Sequence, residues 1–237
     1  MRRLLPLFAL LFAAQPALAG QRATYVDDEG KKLNIEVTDD GNAAVKPEGE
    51  EQYGILRDGQ FYLVGREKGQ LHVARMEDMA AAFDKVLPPI FKELFGLAAK
   101  DKPKTKLKIE PAGTRTVAGQ KGQVYRVFGL DDEKPNEPME MVLTREPGFQ
   151  PVGQAMQQFS ISTILMLAPF AGEVAAEMIS DMRAIFAYGA PLDLGRFKLT
   201  KVETVPIAAS AAALPATPDT VEQILGQLKA SSTGPKP

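Results

Sequence analysis

"ISTILMLAPFAGEVAAEMI", residues 161–179, is among the most apolar parts of this chain, and its reading decides what kind of protein this is. It is a membrane span, a core helix or the lining of a cavity. A span needs about 20 consecutive apolar residues. Ser162 and Thr163 interrupt the run, and Glu173 and Glu177 follow it, so the unbroken part is about half that length. The mature chain therefore has no membrane span here. Pro169 separates two helices. In the second, Val174, Met178, Met182, Ile185 and Phe186 share an apolar face, while Glu173, Glu177 and Asp181 recur at i, i+4 and i+8. The first is apolar nearly all round over residues 164–168, which requires contact on more than one side: sheet beneath, and helix or ligand beside. Plain core and cavity wall both satisfy that. The thioethers of Met156, Met166, Met178 and Met182 suit a wall that adapts to varied apolar partners.

A second helical pattern precedes it. Met76, Met79, Ala80, Phe83, Leu87, Ile90, Phe91, Leu94 and Ala98 mark one face over residues 76–98. Pro88-Pro89 interrupts the middle, because proline lacks the N–H and clashes with the preceding turn. The apolar phase survives the interruption, so both halves are expected on the same surface.

The rest reads as strands. In "LNIEVT", Leu33, Ile35 and Val37 alternate with Asn34, Glu36 and Thr38, the period of a half-buried strand. Glu29-Gly30, Asp40-Gly41, Asp58-Gly59 and Lys68-Gly69 punctuate residues 21–75 into a meander, with "GILRDGQFYLVG" the clearest hairpin. "KLKIEPAGTRTVAG" and "GQVYRVFGL" pair through a turn at Lys121-Gly122, and "PMEMVLTRE" alternates Met139, Met141 and Leu143 against Glu140, Val142 and Thr144. Residues 147–153 read as a break before helices over 154–188. "GRFKLTKVETVPI" returns to strand. Thr217-Pro218 then reads as an N-cap and first helical position, with Val221, Ile224, Leu225 and Leu228 as the apolar side.

The N-terminus has a different character. "MRRLLPLFALLFAAQPALA" begins with Arg2 and Arg3, continues apolar, and ends in Ala17-Leu18-Ala19, the pattern of a cleaved export leader. The domain plan is a signal peptide at 1–19, one domain at 20–230 and a disordered tail at 231–237. Of 237 residues, 28 are Lys or Arg and 30 are Asp or Glu, for a net charge of −2. Loss of the two leader arginines makes the mature chain more acidic, which excludes electrostatically driven binding to nucleic acid. There is no Cys, so neither a disulfide framework nor a lipid-modified N-terminal cysteine is available. The expected address is the periplasm.

Catalytic constellations are sparse. His72 is the only histidine, which excludes a multi-histidine metal site and a serine-histidine triad built on any other imidazole. It alternates with Leu71 and Val73 and is expected on the solvent side of a strand. The stripe of Glu173, Glu177 and Asp181 cannot alone wrap a calcium ion, which takes six to eight oxygens, and reads as a solvated face. Without Cys or a neighbouring His, Met139 and Met141 do not make a copper(I) site. No cofactor is expected.

"TVAGQKGQVYRV" (116–127) and "GRFKLTKVETVPI" (195–207) resemble segments of uncharacterised exported proteins described only as domains of unknown function, grouped with the LolA/LolB-like half-barrels. The resemblance implies a curved antiparallel sheet wrapped over helices, with an apolar concavity; known carriers of that group bind lipid-modified proteins or acyl chains, and the resemblance leaves the occupant here open. The fold class expected is thus α+β, a LolA-like curved antiparallel sheet with helices packed on the concave face. Phe83, Leu87, Phe91, Met166 and Leu167 are the expected ligand-binding residues, bordering the cavity. Three functions remain open: a non-enzymatic periplasmic module for an apolar or lipid-like ligand, a packed structural module with an envelope protein partner, and an enzyme whose residues the sequence does not identify. The leader makes the first testable claim. Intact mass of the exported protein should start at Gly20, and a full-length chain retained in the inner membrane would falsify the leader reading.

Overall fold

The computed structural model describes residues 19–67, 69–88, 90, 106–131 and 134–232. Eleven strands among them form a curved antiparallel sheet in the order β6-β5-β4-β3-β2-β1-β11-β10-β9-β8-β7, accompanied by five helices. The chain is α+β. β1 (Ala19–Asp27), β2 (Lys32–Val37), β3 (Ala43–Pro47), β4 (Tyr53–Arg57), β5 (Gln60–Glu67) and β6 (Gln70–Arg75) are a meander of sequential hairpins. After α1 (Met76–Val86), a second meander follows: β7 (Lys108–Val117), β8 (Gln120–Phe128) and β9 (Met139–Thr144). Then come α2 (Gln150–Leu165), α3 (Ala168–Ala171) and α4 (Glu173–Phe186). β10 (Ala190–Asp193) and β11 (Phe197–Pro206) re-enter the sheet between the two meanders, and α5 (Val221–Ser232) closes the described chain. None of these helices is long and apolar enough to cross a membrane.

Local chemistry explains most boundaries. Arg57 pairs with Gln60 across Asp58-Gly59, whose φ angles of 51° and 75° make the two-residue turn that Asp-Gly favours. The β7–β8 turn is a correction. It lies at Ala118-Gly119, with Val117 paired to Gln120, and not at Lys121-Gly122. Gly122 instead sits inside β8, where a Cβ would approach Val142 Cγ1 to 2.6 Å, so close packing and not turning explains that glycine. α2 begins at Gln150, earlier than the expected break allows, because Pro151 falls in the first turn where its missing N–H is harmless. α1 ends at Val86 because Leu87, preceding Pro88, is extended at ψ 122°. The N-cap of α5 is Thr220 and not Thr217. Thr220 N–H donates to Gln223 Oε1 at 2.7 Å and Gln223 N–H to Thr220 Oγ1 at 3.3 Å, a reciprocal capping box. That helix runs to Ser232, two residues into the expected tail. Residues 1–18 of the leader, Phe91, Leu94 and Ala98 of the expected second helical half, and residues 233–237 lie outside the described residues.

One sheet face carries the main core. Ala23, Tyr25, Leu33, Ile35, Val37, Val45 and Leu56 are buried there, and Val152, Ala155 and Met156 of α2 pack onto them. α4 covers the second meander through Ile185, which packs with Tyr125, Val127, Met141 and Leu143. Val142 belongs to the main core, so β9 is buried on both faces. The opposite face of β4, β5 and β6 has its own small core of Ile55, Val64 and Val73, covered by Leu214 from the segment after β11. That segment passes a 3-10 turn (Ala209–Ala212), and Asp219 N–H then donates to Val73 C=O of the edge strand at 2.7 Å. α5 finally packs Val221, Ile224, Leu225 and Leu228 against Ala74, Met79 and Ala82.

The two parts of the sheet are joined narrowly. β1 pairs with β11 from Ala19↔Pro206 to Asp27↔Phe197, whereas β10 pairs with β11 at the single position Asp193↔Lys198. α2 sits close enough to β10 that a Cβ on Gly153 would lie 2.5 Å from Ala190 Cβ and 2.8 Å from its Cα. Gly153→Ala should therefore push α2 off β10 and cost about 1–3 kcal/mol in urea denaturation. Unchanged stability would show that the helix–strand contact is looser than this geometry requires.

Candidate functional site

Of the expected binding residues, four are described, and they fall on the helical layer. Phe83 is half-buried on α1, and its ring lies 6.5 Å from that of Phe170, tilted by 50°. Phe170 was not singled out by sequence reasoning. Its signal was the spacing of three from Leu167 within a stretch already known to be apolar. Leu87 caps α1, its N–H bonded to Phe83 C=O at 3.0 Å, and is half-buried. Met166 is half-buried against the main core. Leu167 is 48% exposed. As the N-cap of α3, it lies between two helices, where its N–H closes a tight turn onto Ile164 C=O at 2.9 Å. α3 itself is possible because Pro169 lies in its first turn, and Gly172, at φ 46° and ψ −111°, breaks it from α4.

The structure thus joins Phe83 to the 161–170 stretch through Phe170, and it turns Leu167 toward solvent. The all-round apolar helix divides its faces accordingly: Ile161 and Ile164 are buried, while Leu167 is not. Met178 on α4 at 42% and Ile90, just past α1, at 62% are the other exposed large apolar side chains among the described residues. Two concavities, of about 650 and 470 Å³, open elsewhere. The first lies between Lys46, Tyr53 and the strap residues Ser210 and Leu214, the second between β11 and the β7–β8 turn. Beside the first, burial works to raise the Glu36 carboxyl, but hydrogen bonds and charge from Arg22 and Lys46 hold it below its ordinary value.

His72 corrects an expectation. It does not stand free in solvent: Nδ1 lies 2.9 Å from Asp219 Oδ2 and 2.9 Å from Gln227 Nε2, and Gln227 Nε2 donates to Asp219 at 3.3 Å. The imidazole is a latch for the C-terminal segment, holding it where it turns past the edge strand. The Thr220–Gln223 capping box was the sequence signal, since it starts α5 directly after Asp219 and places Gln227 one turn further on. Among the described residues, no three His, Asp or Glu side chains converge to hold a metal ion.

The acidic stripe is less solvated than its spacing implied. Glu177 and Asp181 are half-buried, and the Asp181 carboxyl is raised above its ordinary value, first by burial and then by the charge of Glu177 one turn earlier. The folded chain holds this proton more tightly than the unfolded chain does. The stabilising contribution is thus full below the ordinary aspartate value and is lost as pH rises through the folded value. Asp181→Asn should raise the melting temperature at pH 7, and the gain should shrink toward about pH 3. A variant that matches wild type at pH 7 would mean that the carboxyl is fully hydrated.

No protein-family model, curated protein or solved structure matches this chain.

Proposed function

We propose that the protein is a non-enzymatic module of the cell envelope, exported to the periplasm, that binds an apolar or lipid-like ligand on its helical layer. The observation that carries this reading is that Ile90, Leu167 and Met178, the exposed large apolar side chains among the described residues, fall in or next to the same helical segments as the half-buried Phe83, Leu87, Met166 and Phe170. Exposed large apolar side chains gathered on one layer are a surface that gains by being covered. The curved antiparallel sheet with α2 against one face agrees with the half-barrel resemblance. α2 fills the space against β2 to β5, with Val152 at 0% and Met156 at 2% exposure, which supports a ligand site beside α1 and α3 over one beneath α2.

The same filled interior favours a second reading, a packed module whose exposed apolar side chains meet an envelope protein. The two separate at Leu167. Because Leu167 is half exposed, Leu167→Ala should cost less than about 1 kcal/mol, against about 2–5 kcal/mol for a core leucine. Leu167→Trp should fold with an unchanged melting temperature and alter the affinity for a fluorescent fatty acid. Wild type that binds no such probe, and that yields no lipid in the organic extract, would decide for the packed module.

A further inference from the structure

Beside the start of α2, the core face of the sheet ends in an open concavity of about 470 Å³. Its floor is the β1–β11 pair. Gln21 lies opposite Thr204 and Ala23 opposite Val202, so Gln21, Val202 and Thr204 share the face that buries Ala23. Two turns wall the space. One is the β7–β8 turn at Ala118-Gly119, followed by Lys121, and the other is the 3-10 turn Pro147–Phe149 that leads into α2. A Cβ on Gly148 would lie 3.7 Å from Gln21 Nε2, so the Gln21 amide stands against that second turn. Phe149, 3% exposed, and Val202 supply the apolar part of the lining.

Three polar groups around this space are left unmatched by the chain. Gln21 Oε1 is buried and accepts no hydrogen bond, a costly condition for an amide oxygen. Lys121 and Glu146 carry opposite charges and both line the concavity. Their side chains nevertheless form no ion pair or hydrogen bond with each other or with any other described residue. Elsewhere on the sheet, opposite charges that lie close do pair: Lys201 meets Glu203 at 2.9 Å, and Arg115 meets Glu140 at 2.6 Å. In the larger concavity, too, the lysine is already taken, since Lys46 reaches Glu36 at 3.2 Å. A cation, an anion and a buried acceptor around one small space are the complement of a molecule that carries a carboxylate, an ammonium and an N–H.

We propose that this concavity binds a dipeptide as a zwitterion, with its ammonium toward Glu146, its carboxylate toward Lys121 and an N–H toward Gln21 Oε1. A single amino acid holds both charges on one carbon. A dipeptide separates them by an amide, over about 7 Å when extended, and so suits two protein charges that do not meet. Short apolar side chains on the ligand have Val202 and Phe149 to lie against. The site is separate from the apolar helical layer and stands whether or not that layer takes a lipid.

The probe is Ala-Val, titrated into the intact isotope-labelled protein with amide shifts read by NMR. Saturable shifts are expected at the Gln21 side-chain amide and at the backbone amides of Gly119, Lys121 and Gly148, with a Kd of about millimolar. Two capped versions, N-acetyl-Ala-Val and Ala-Val amide, each lack one charge and should bind about tenfold or more weaker. Lys121→Gln should weaken Ala-Val severalfold and leave the already weakened Ala-Val amide unchanged. Glu146→Gln should do the same for Ala-Val against its acetylated form. Both side chains are exposed, so neither change threatens the fold. Shifts that do not saturate, equal affinity of the three peptides, or variants that weaken capped and uncapped peptides alike overturn the proposal.

Discussion

A single buried hydrogen bond marks the place where this sheet changes character. The Tyr25 hydroxyl donates to Pro191 C=O at 2.7 Å, and its ring is completely buried. Burial raises the phenol well above its ordinary value and so favours the protonated form that donates this bond. Pro191 ends the β10–β11 ladder by lacking an N–H, and the same residue's carbonyl would be orphaned in the core without the phenol. Seven strands on one side of this point and four on the other are thereby held as one sheet, although the backbone joins them at one pair. With β10 held there, α2 can press Gly153 onto Ala190 and reach the main core.

α2 lies against the larger part and α4 against the smaller, and the two helices are linked through the short α3. The apolar stretch that sequence alone could not assign is the corner of this arrangement. Ile161 and Ile164 face the core, Met166 touches its rim, and Leu167 emerges because the helix has ended beneath it. An all-round apolar sequence was read as contact on several sides. Here part of that surface is simply the outside of a turn, and this is what gives the helical layer its uncovered side chains.

The strands and helix faces were legible because their cause is local. Leu33, Ile35 and Val37 alternate in sequence and are buried in the fold, and Val221, Ile224, Leu225 and Leu228 do pack as one side. Asp58-Gly59 carries its turn in its own φ preferences. The misses have a different origin. Ala118 adopts a left-handed conformation at φ 48° because the register of β7 and β8 demands it, while Gly122 is needed for contact with Val142. His72 alternates like a solvent-facing residue, but its environment is set by Asp219 and Gln227, 147 and 155 positions away. Of the candidate site, the apolar side chains were visible and their exposure was not. Exposure depends on where α2 stops and on Phe170 meeting Phe83, neither of which has a sequence period.

The pairing of β1 with β11 sets an order of events during synthesis. β1 can form its hairpin with β2 as soon as Val37 has emerged, but its other edge waits for a partner about 170 residues later in the chain. Every contact that buries Tyr25 on that side, including the carbonyl of Pro191, belongs to the last fifth of the molecule. A nascent chain holding the whole first meander is therefore still an unclosed sheet with one long bare margin. Closing that margin requires residues 190–206, whose strands lie between the two meanders in the sheet. A polypeptide that stays open until nearly its full length is available suits any handling that requires an unfolded chain. It also leaves truncation before Phe197 without a native state to reach.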